Sequence, residues 1–216
     1  MVQPWSFNDD VAARFDDEAL THIPDYEYVI ARSVAIARDI FTDMDARIID
    51  VGSALGRTLE ALRTAGFRNV YGVDNSAAML RLSRVQDNLI LADTFPSGSA
   101  PFDMVIANWT LHFIPTPEAR RSYIADIFAA LRPRGVFVLT DKIAAGEQAQ
   151  RVYIDFKRSM GVSEAEIAAK TASLAGVLNP LPALWYEETL RAVGFKRISV
   201  EHDVYCFRTY VCHRDS

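Results

Sequence analysis

Four apolar runs in this chain end in polar groups whose types suit one kind of ligand. Ile48-Ile49-Asp50-Val51 breaks into Gly52-Ser53-Ala54-Leu55-Gly56, and Val70-Tyr71-Gly72-Val73 ends in Asp74-Asn75. Further on, Asn88–Ala92 leads to Asp93-Thr94, and Phe102–Ala107 ends in Asn108. Read as strands of an open sheet, these runs put their tips where ligands bind. Glycine lets backbone approach a ligand closely, an acid at the second tip accepts from ribose hydroxyls, and one at the third can accept from the adenine amino group. One polar tip means little, but successive tips of these types predict a nucleoside-containing cofactor.

The loop at 52–56 narrows the choice. A dinucleotide site wants Gly-x-Gly-x-x-Gly, so that amides can hold a pyrophosphate at a helix N-terminus. That spacing is absent here, and Asp50 precedes the first glycine. A carboxylate there repels a pyrophosphate but holds an ammonium, directly or through water. S-adenosylmethionine has a sulfonium, an amino-acid tail and no phosphate. The pattern Asp50-x-Gly52-x-x-x-Gly56 resembles the first motif of class I S-adenosylmethionine-dependent methyltransferases, with Ala54 where that motif usually has its middle glycine.

Proton-transfer chemistry has two candidates near the fourth tip, His112 and Asp141. A histidine suits proton abstraction near neutral pH, so His112 is the candidate catalytic residue. Lys142 either binds an anionic acceptor or neutralises Asp141. Trp109 and Phe113 either stack on adenine, wall the acceptor or pack in the core. Tyr26 sits where a lid helix should approach the methionine tail. Arg120-Arg121 and Arg132-Pro-Arg134 are expected to face solvent. The four histidines show no metal-ligand spacing, so no metal is expected. Cys206 and Cys212, on one extended run, are expected as free thiols.

The elements that must position these groups follow from periodicity. Residues 1–20 read as an irregular arm or short helix. A helix over 26–41, with Asp25 as N-cap, carries the stripe Val29, Ile30, Val34, Ala37 and Phe41. Strands are expected at 47–51, 69–73, 88–92, 102–108 and 135–140, with helices at 55–65, 76–82 and 117–131 and a loop at 96–101. This alternation predicts a parallel sheet with helices on both faces. It then breaks. Helical signals fill 147–160 and 163–177, the second opened by a Ser163/Glu166 capping box, and a helix at 185–193 ends at Gly194. Strands at 195–201 and 204–213, joined at His202-Asp203, read as an antiparallel hairpin. The fold class is α/β: a Rossmann-like, seven-stranded, mostly parallel sheet with a terminal antiparallel hairpin and a helical insertion after the fifth strand. One domain, 1–216, is expected, with lid helices in 1–42 and the insertion at 146–185.

The bulk numbers agree with an ordinary globular domain: half the residues are hydrophobic, about a quarter charged, and the net charge is −5. No global field favours nucleic acid, and no run is long enough to span a membrane. The first ten residues lack a basic start and an apolar core, so a cytoplasmic location is expected. The insertion mixes Lys157, Arg158 and Lys170 with Trp185 and Tyr186, which would suit a small acceptor bearing a carboxylate.

A more specific likeness runs through Ile23–Tyr26, Asp50–Gly56, Val73–Met79, Asn108–Ile114 and Asp155–Gly161 to Lys170, in order. These segments resemble the carboxy-S-adenosylmethionine synthases, which supply a modified cofactor for tRNA wobble-uridine modification. The likeness covers residues 7–212. It implies cofactor contacts at Tyr26, Gly52, Ser53, Ala54, Asp74, Asn75, Asp93, Thr94 and Asn108, and a homodimer whose insertion reaches the neighbour's site. One position departs. Where those synthases carry an arginine that grips the product's extra carboxylate, this chain has Thr171. Losing a hydrogen bond to a charged group weakens such binding roughly 10- to 150-fold. Methyl transfer from S-adenosylmethionine to a small-molecule acceptor is therefore expected. The alternatives are carboxyl transfer from a prephenate-type donor and a non-catalytic cofactor binder.

Overall fold

A computed structural model describes residues 6–96, 98 and 101–215. The expectations for residues 1–5 and for 97, 99 and 100 of the 96–101 loop lie outside these. The sheet has seven strands: β1 (Ile48–Val51), β2 (Val70–Asp74), β3 (Leu89–Leu91), β4 (Phe102–Asn108), β5 (Leu131–Lys142), β6 (Arg197–Val204) and β7 (Phe207–His213). Their order is β3-β2-β1-β4-β5-β7-β6. The first five run parallel, and β7 is antiparallel to both β5 and β6. The chain winds outward from β1 through β2 to β3, then returns to the other side of β1 for β4 and β5. That reversal opens a crevice at the C-terminal ends of β1 and β4.

Side-chain alternation splits the core into two layers. Ile49, Val105, Phe137 and Leu139 face Ile124 and Ile127 of α5 (Pro117–Ala130) and Tyr186 and Leu190 of α8 (Ala183–Val193). Ile48, Ile106, Val136 and Val138 face Ile36 and Ala37 of α2 (Tyr26–Ile40) and Leu59 and Leu62 of α3 (Arg57–Thr64). A strand covered on both faces is mostly apolar, which is why β1 carries Ile48, Ile49 and Val51 and is buried at every position, with Asp50 its one polar residue.

The remaining helices form a cap. α1 (Asp9–His22) is a full helix where the sequence suggested an arm or a short one. Asn8 caps it by accepting from Val11 N, and Asp9 and Asp10 favour its positive end. α4 (Ala77–Arg81) follows β2. The insertion supplies α6 (Glu147–Ser159) and α7 (Glu164–Ser173), the latter with the expected Ser163/Glu166 capping box.

Several local expectations need correction. The β6–β7 turn lies at Tyr205-Cys206, not at His202-Asp203, and Tyr205 takes the left-handed φ of 53° there. Cys206 therefore sits in the turn rather than on the β7 face that carries Cys212; both thiols are free and buried. Asp25 precedes α2 but accepts no capping hydrogen bond; its carboxylate instead lies 3.0 Å from His202 Nε2. β5 begins at Leu131, earlier than Gly135. Arg120 is buried, not solvent-facing. Among the described residues no helix is long and apolar enough to cross a membrane, and no group of His, Cys, Asp and Glu is placed to hold a metal.

Candidate functional site

One cavity of about 940 Å³ opens over the C-terminal ends of β1, β2 and β4. That volume lies near the top of the range for small-molecule sites and leaves room for a second molecule beside a nucleoside cofactor. α1 contributes Phe15 and Ala19 to its wall, α6 contributes Tyr153 and Lys157, and α7 contributes Lys170 and Thr171. Tyr26, Asp50, Gly52, Ser53, Ala54, Asp74, Asn75, Asp93, Thr94, Asn108 and His112 all line it. Gly56 does not. It caps α3 with a left-handed φ of 75°, backed against Ser83, and turns the chain from the loop into the helix.

The glycine loop is shaped from beneath. Gly52 N and Ser53 N both donate to Val73 O, at 2.7 and 3.1 Å. Gly52 has φ 69°, and a Cβ on it would collide with the Thr110 side chain. The Thr110 hydroxyl donates to Val51 O at 2.8 Å and to Asn108 O at 3.1 Å, joining the tips of β1 and β4. Ala54 takes φ 45°, a left-handed conformation that a side chain disfavours.

The acids are held differently. Asp74 accepts from Ala54 N at 2.9 Å and Ser76 N at 2.8 Å, which fixes its carboxylate beside the loop. Burial raises its pKa, and those amides oppose the rise. Asp50 is fully buried, and burial pushes its pKa up to about 8; the Thr58 side chain opposes the shift and the Asp74 charge adds to it. A nearby cation would reverse the dominant effect. Among the described residues, Ser53 Oγ, Asn108 Oδ1 and Trp109 Nε1, buried polar atoms of the lining, have no hydrogen-bond partner. Unpaired buried polar atoms are costly, and a polar ligand relieves them. Anionic strand tips, orphaned polar atoms and a loop without a phosphate nest fit an adenosyl sulfonium.

Tyr26 starts α2, and its ring centroid lies 4.7 Å from that of Trp109, itself held at φ 57°. Desolvation raises the Tyr26 pKa, so its phenol stays neutral. Phe113 also lines the cavity, 5.3 Å from Phe7 between centroids.

His112 is the most constrained of the candidate groups. Its Nδ1 lies 2.9 Å from the Lys142 amide and 3.0 Å from Asp141 Oδ1. With Nδ1 bare the amide donates to it; with Nδ1 protonated it donates to the carboxylate, which among the described residues has no other partner at Oδ1. The second arrangement leaves Nε2 free to take a proton. Tyr186 donates to Asp141 Oδ2 at 2.8 Å, and Arg120 Nη1 donates to the Tyr186 phenol oxygen at 2.7 Å. Arg120 Nη2 donates to Ile114 O and Asn179 O. Asp141 is therefore paired beneath the cavity floor, and Lys142 does not neutralise it; strand alternation sends the two to opposite sides. Trp185 and Tyr186 pack below the cavity, and Arg158 pairs outside it with Asp155 and Glu164.

The middle of the chain, residues 49–139, matches the model of the methyltransferase domain family. Over nearly its whole length the chain is similar to the carboxy-S-adenosyl-L-methionine synthase of Pseudomonas putida, 32% identical over 91% of this chain and 87% of that protein. The chain belongs to the class I S-adenosylmethionine-dependent methyltransferase family. As a member, the enzyme takes S-adenosylmethionine as cofactor. The synthase of Geobacter metallireducens is likewise 32% identical, over 88% of this chain and 85% of its own. Among solved structures, the magnesium protoporphyrin IX methyltransferase of Synechocystis shares the fold, with a TM-score of 0.68 at 16% identity over 97% and 96% of the two chains. A plantazolicin methyltransferase shares it with a TM-score of 0.70 at 11% identity over 96% and 90%.

The sequence reading missed Arg120 and Tyr153. Arg120 sits on a helix that shows no clear apolar stripe, and its burial comes from Tyr186, far along the chain. Tyr153 has one visible signal, a helical position one turn before Lys157.

Proposed function

We propose that the enzyme carboxylates S-adenosylmethionine, moving a carboxyl group from a prephenate-type donor onto the cofactor's methyl. The observation that carries this reading is the similarity to synthases named for that product, which extends through the helical insertion and not only the cofactor-binding half. When bound, the cofactor supplies a sulfonium that makes its methyl both electrophilic and acidic. Asp74 and Asn75 hold the ribose, Asp93 and Thr94 the adenine edge, and Asp50 the amino group. Tyr26, Asn108 and the loop at Gly52–Ala54 enclose the methionine end. His112, oriented by Asp141, would take the proton released from the methyl and pass it to the hydroxide that the donor expels as it loses carbon dioxide and becomes aromatic, so that the carboxyl group ends on the cofactor and the proton in water. α1 and α2 act as lids, and the insertion both lids the cavity and meets a second copy, making a homodimer.

Methyl transfer to a separate small-molecule acceptor is the second reading, and Thr171 favours it. Thr171 lines the cavity, but its hydroxyl already donates to Ile167 O at 2.8 Å. Three arginines that could take its place are engaged: Arg57 with Asp16 and Glu27, Arg32 with Glu201, and Arg158 with Glu164 outside the cavity. Incubation with S-adenosylmethionine and prephenate, followed by mass spectrometry of the nucleoside, decides between the two. The first reading predicts a cofactor heavier by one carbon dioxide. Unchanged S-adenosylmethionine with prephenate, together with S-adenosylhomocysteine formation from an acceptor panel, would overturn it in favour of the second.

A further inference from the structure

Two cations in the cavity are used by none of the cofactor contacts above. Lys142 ends β5, Lys157 lies in the last turn of α6, and both line the cavity. Each Nζ lies 4.5 Å from the ring centroid of Tyr153, and Lys142 Nζ is also 6.0 Å from that of Phe207. The Tyr153 phenol donates to His22 O at 2.8 Å, which fixes the ring as a platform between the caps. Lys157 is only 6% exposed.

Among the described residues no carboxylate lies within ion-pair distance of either ammonium. The cavity's other long cations are engaged, Arg57 by Asp16 and Glu27 and Lys170 by Glu18. The remaining titratable neighbours supply no negative charge: burial holds the Cys206 thiol and the Tyr153 phenol above their ordinary pKa values and His22 below its own. Burial, and next the Lys142 charge, brings Lys157 down to about 8. A buried ammonium, Lys157, and a half-buried one, Lys142, facing one ring are only partly compensated by its π face. The cavity is thus polarised. Carboxylates stand at the tips of β1 to β3, and ammoniums stand on the β5 side, two strands or about 10 Å from β1.

We propose that Lys142 and Lys157 form a subsite for the carboxylate of a small organic acid that shares the cavity with the cofactor, its hydrocarbon part lying against Tyr153 and Phe207. The pair supplies the positive charge that Thr171 does not. The inference rests on the reading that cofactor and a second small molecule occupy this cavity together.

The test uses enzyme saturated with S-adenosylhomocysteine and titrated with phenylpyruvate, prephenate or malonate. Wild-type enzyme is expected to bind at least one of these acids, and to bind phenylpyruvate more tightly than its uncharged methyl ester. Affinity should weaken about 10- to 100-fold in K142Q and in K157Q, be unaffected in the surface control K196Q, and fall as pH rises past about 8. S-adenosylhomocysteine affinity should be retained in every variant, which certifies folding; a misfolded K157Q is replaced by K157R, expected to keep binding at pH 9. The proposal is overturned if none of the three acids binds the wild type at millimolar concentration, if acid and ester bind alike, or if the glutamine variants bind as the wild type does. Failure of the wild type to bind S-adenosylhomocysteine would instead overturn the cofactor reading.

Discussion

Cofactor binding should release a proton from Asp50, and the size of the effect follows from its burial. In the free enzyme the group is protonated at neutral pH, because burial lifts its pKa to about 8. The cofactor's cationic methionine end stabilises the carboxylate and returns the pKa toward the ordinary range. Affinity then scales with the fraction ionised in the free enzyme. The apparent Kd for S-adenosylmethionine should be raised about 100-fold at pH 6 and about 10-fold at pH 7, and should level off above pH 8. Calorimetry in two buffers of different ionisation enthalpy counts the proton directly: close to one released per cofactor at pH 7, and none in D50N. The folded-state pKa lies above the unfolded value, so Asp50 favours the folded state at low pH and that contribution is lost as pH rises from about 4 to 8. The free enzyme's melting temperature relative to D50N should therefore decline across that window. Saturation with cofactor should abolish the decline. A Kd that is flat from pH 6 to 9, with no proton released, would refute the reasoning.

Other consequences are simpler to check. Ala54→Gly should stabilise the fold by about 0.5–1 kcal/mol, because relief of the left-handed residue exceeds the entropy cost of glycine; denaturant melts that show a loss would contradict the strain at φ 45°. Tyr186→Phe removes the group between Arg120 and Asp141, and should cost about 1–3 kcal/mol of stability while lowering turnover with little change in cofactor Kd. An unchanged pH–rate profile in that variant would argue against His112 as the base. Asp74→Ala should weaken cofactor binding about 10- to 150-fold in equilibrium dialysis. Thr171→Arg should raise affinity for the carboxylated cofactor by a similar factor; no gain would contradict the placing of position 171 beside the cofactor's extra carboxylate.

Much of the fold was legible because the signals were local. β1 is covered on both faces, and Ile48, Ile49 and Val51 say so; Asp50 and the polar tips at Asp74, Asp93 and Asn108 mark the end of the sheet where the cavity opens. The reversed hairpin was legible from two extended runs, but its turn was placed at His202-Asp203, where residue types suggest one. Tertiary pairing moved it to Tyr205-Cys206, a choice no local propensity reveals. α1 was obscured by acids that look like a solvated arm; their partners, Arg57, Arg84 and Lys170, come from three distant segments. Arg120 illustrates the same limit: its burial depends on Tyr186 and on carbonyls at Ile114 and Asn179, which only the folded chain assembles. The residues at the strand tips follow strand register, so their convergence on one cavity could be expected from the sequence. Lys142 and Lys157 were legible as candidates for an anionic acceptor, but the Tyr153 ring that both face is set by contacts between caps and was not.

The central claim is that carboxylates at adjacent strand tips hold an adenosyl sulfonium without a phosphate nest. The most direct measurement is calorimetric titration of ligand-free enzyme with S-adenosylmethionine, beside nicotinamide and flavin dinucleotides, at pH 8. One site for S-adenosylmethionine, weakened about 10- to 150-fold in Asp74→Ala, and no heat from either dinucleotide is the predicted result. Binding of a dinucleotide with none of S-adenosylmethionine would contradict it.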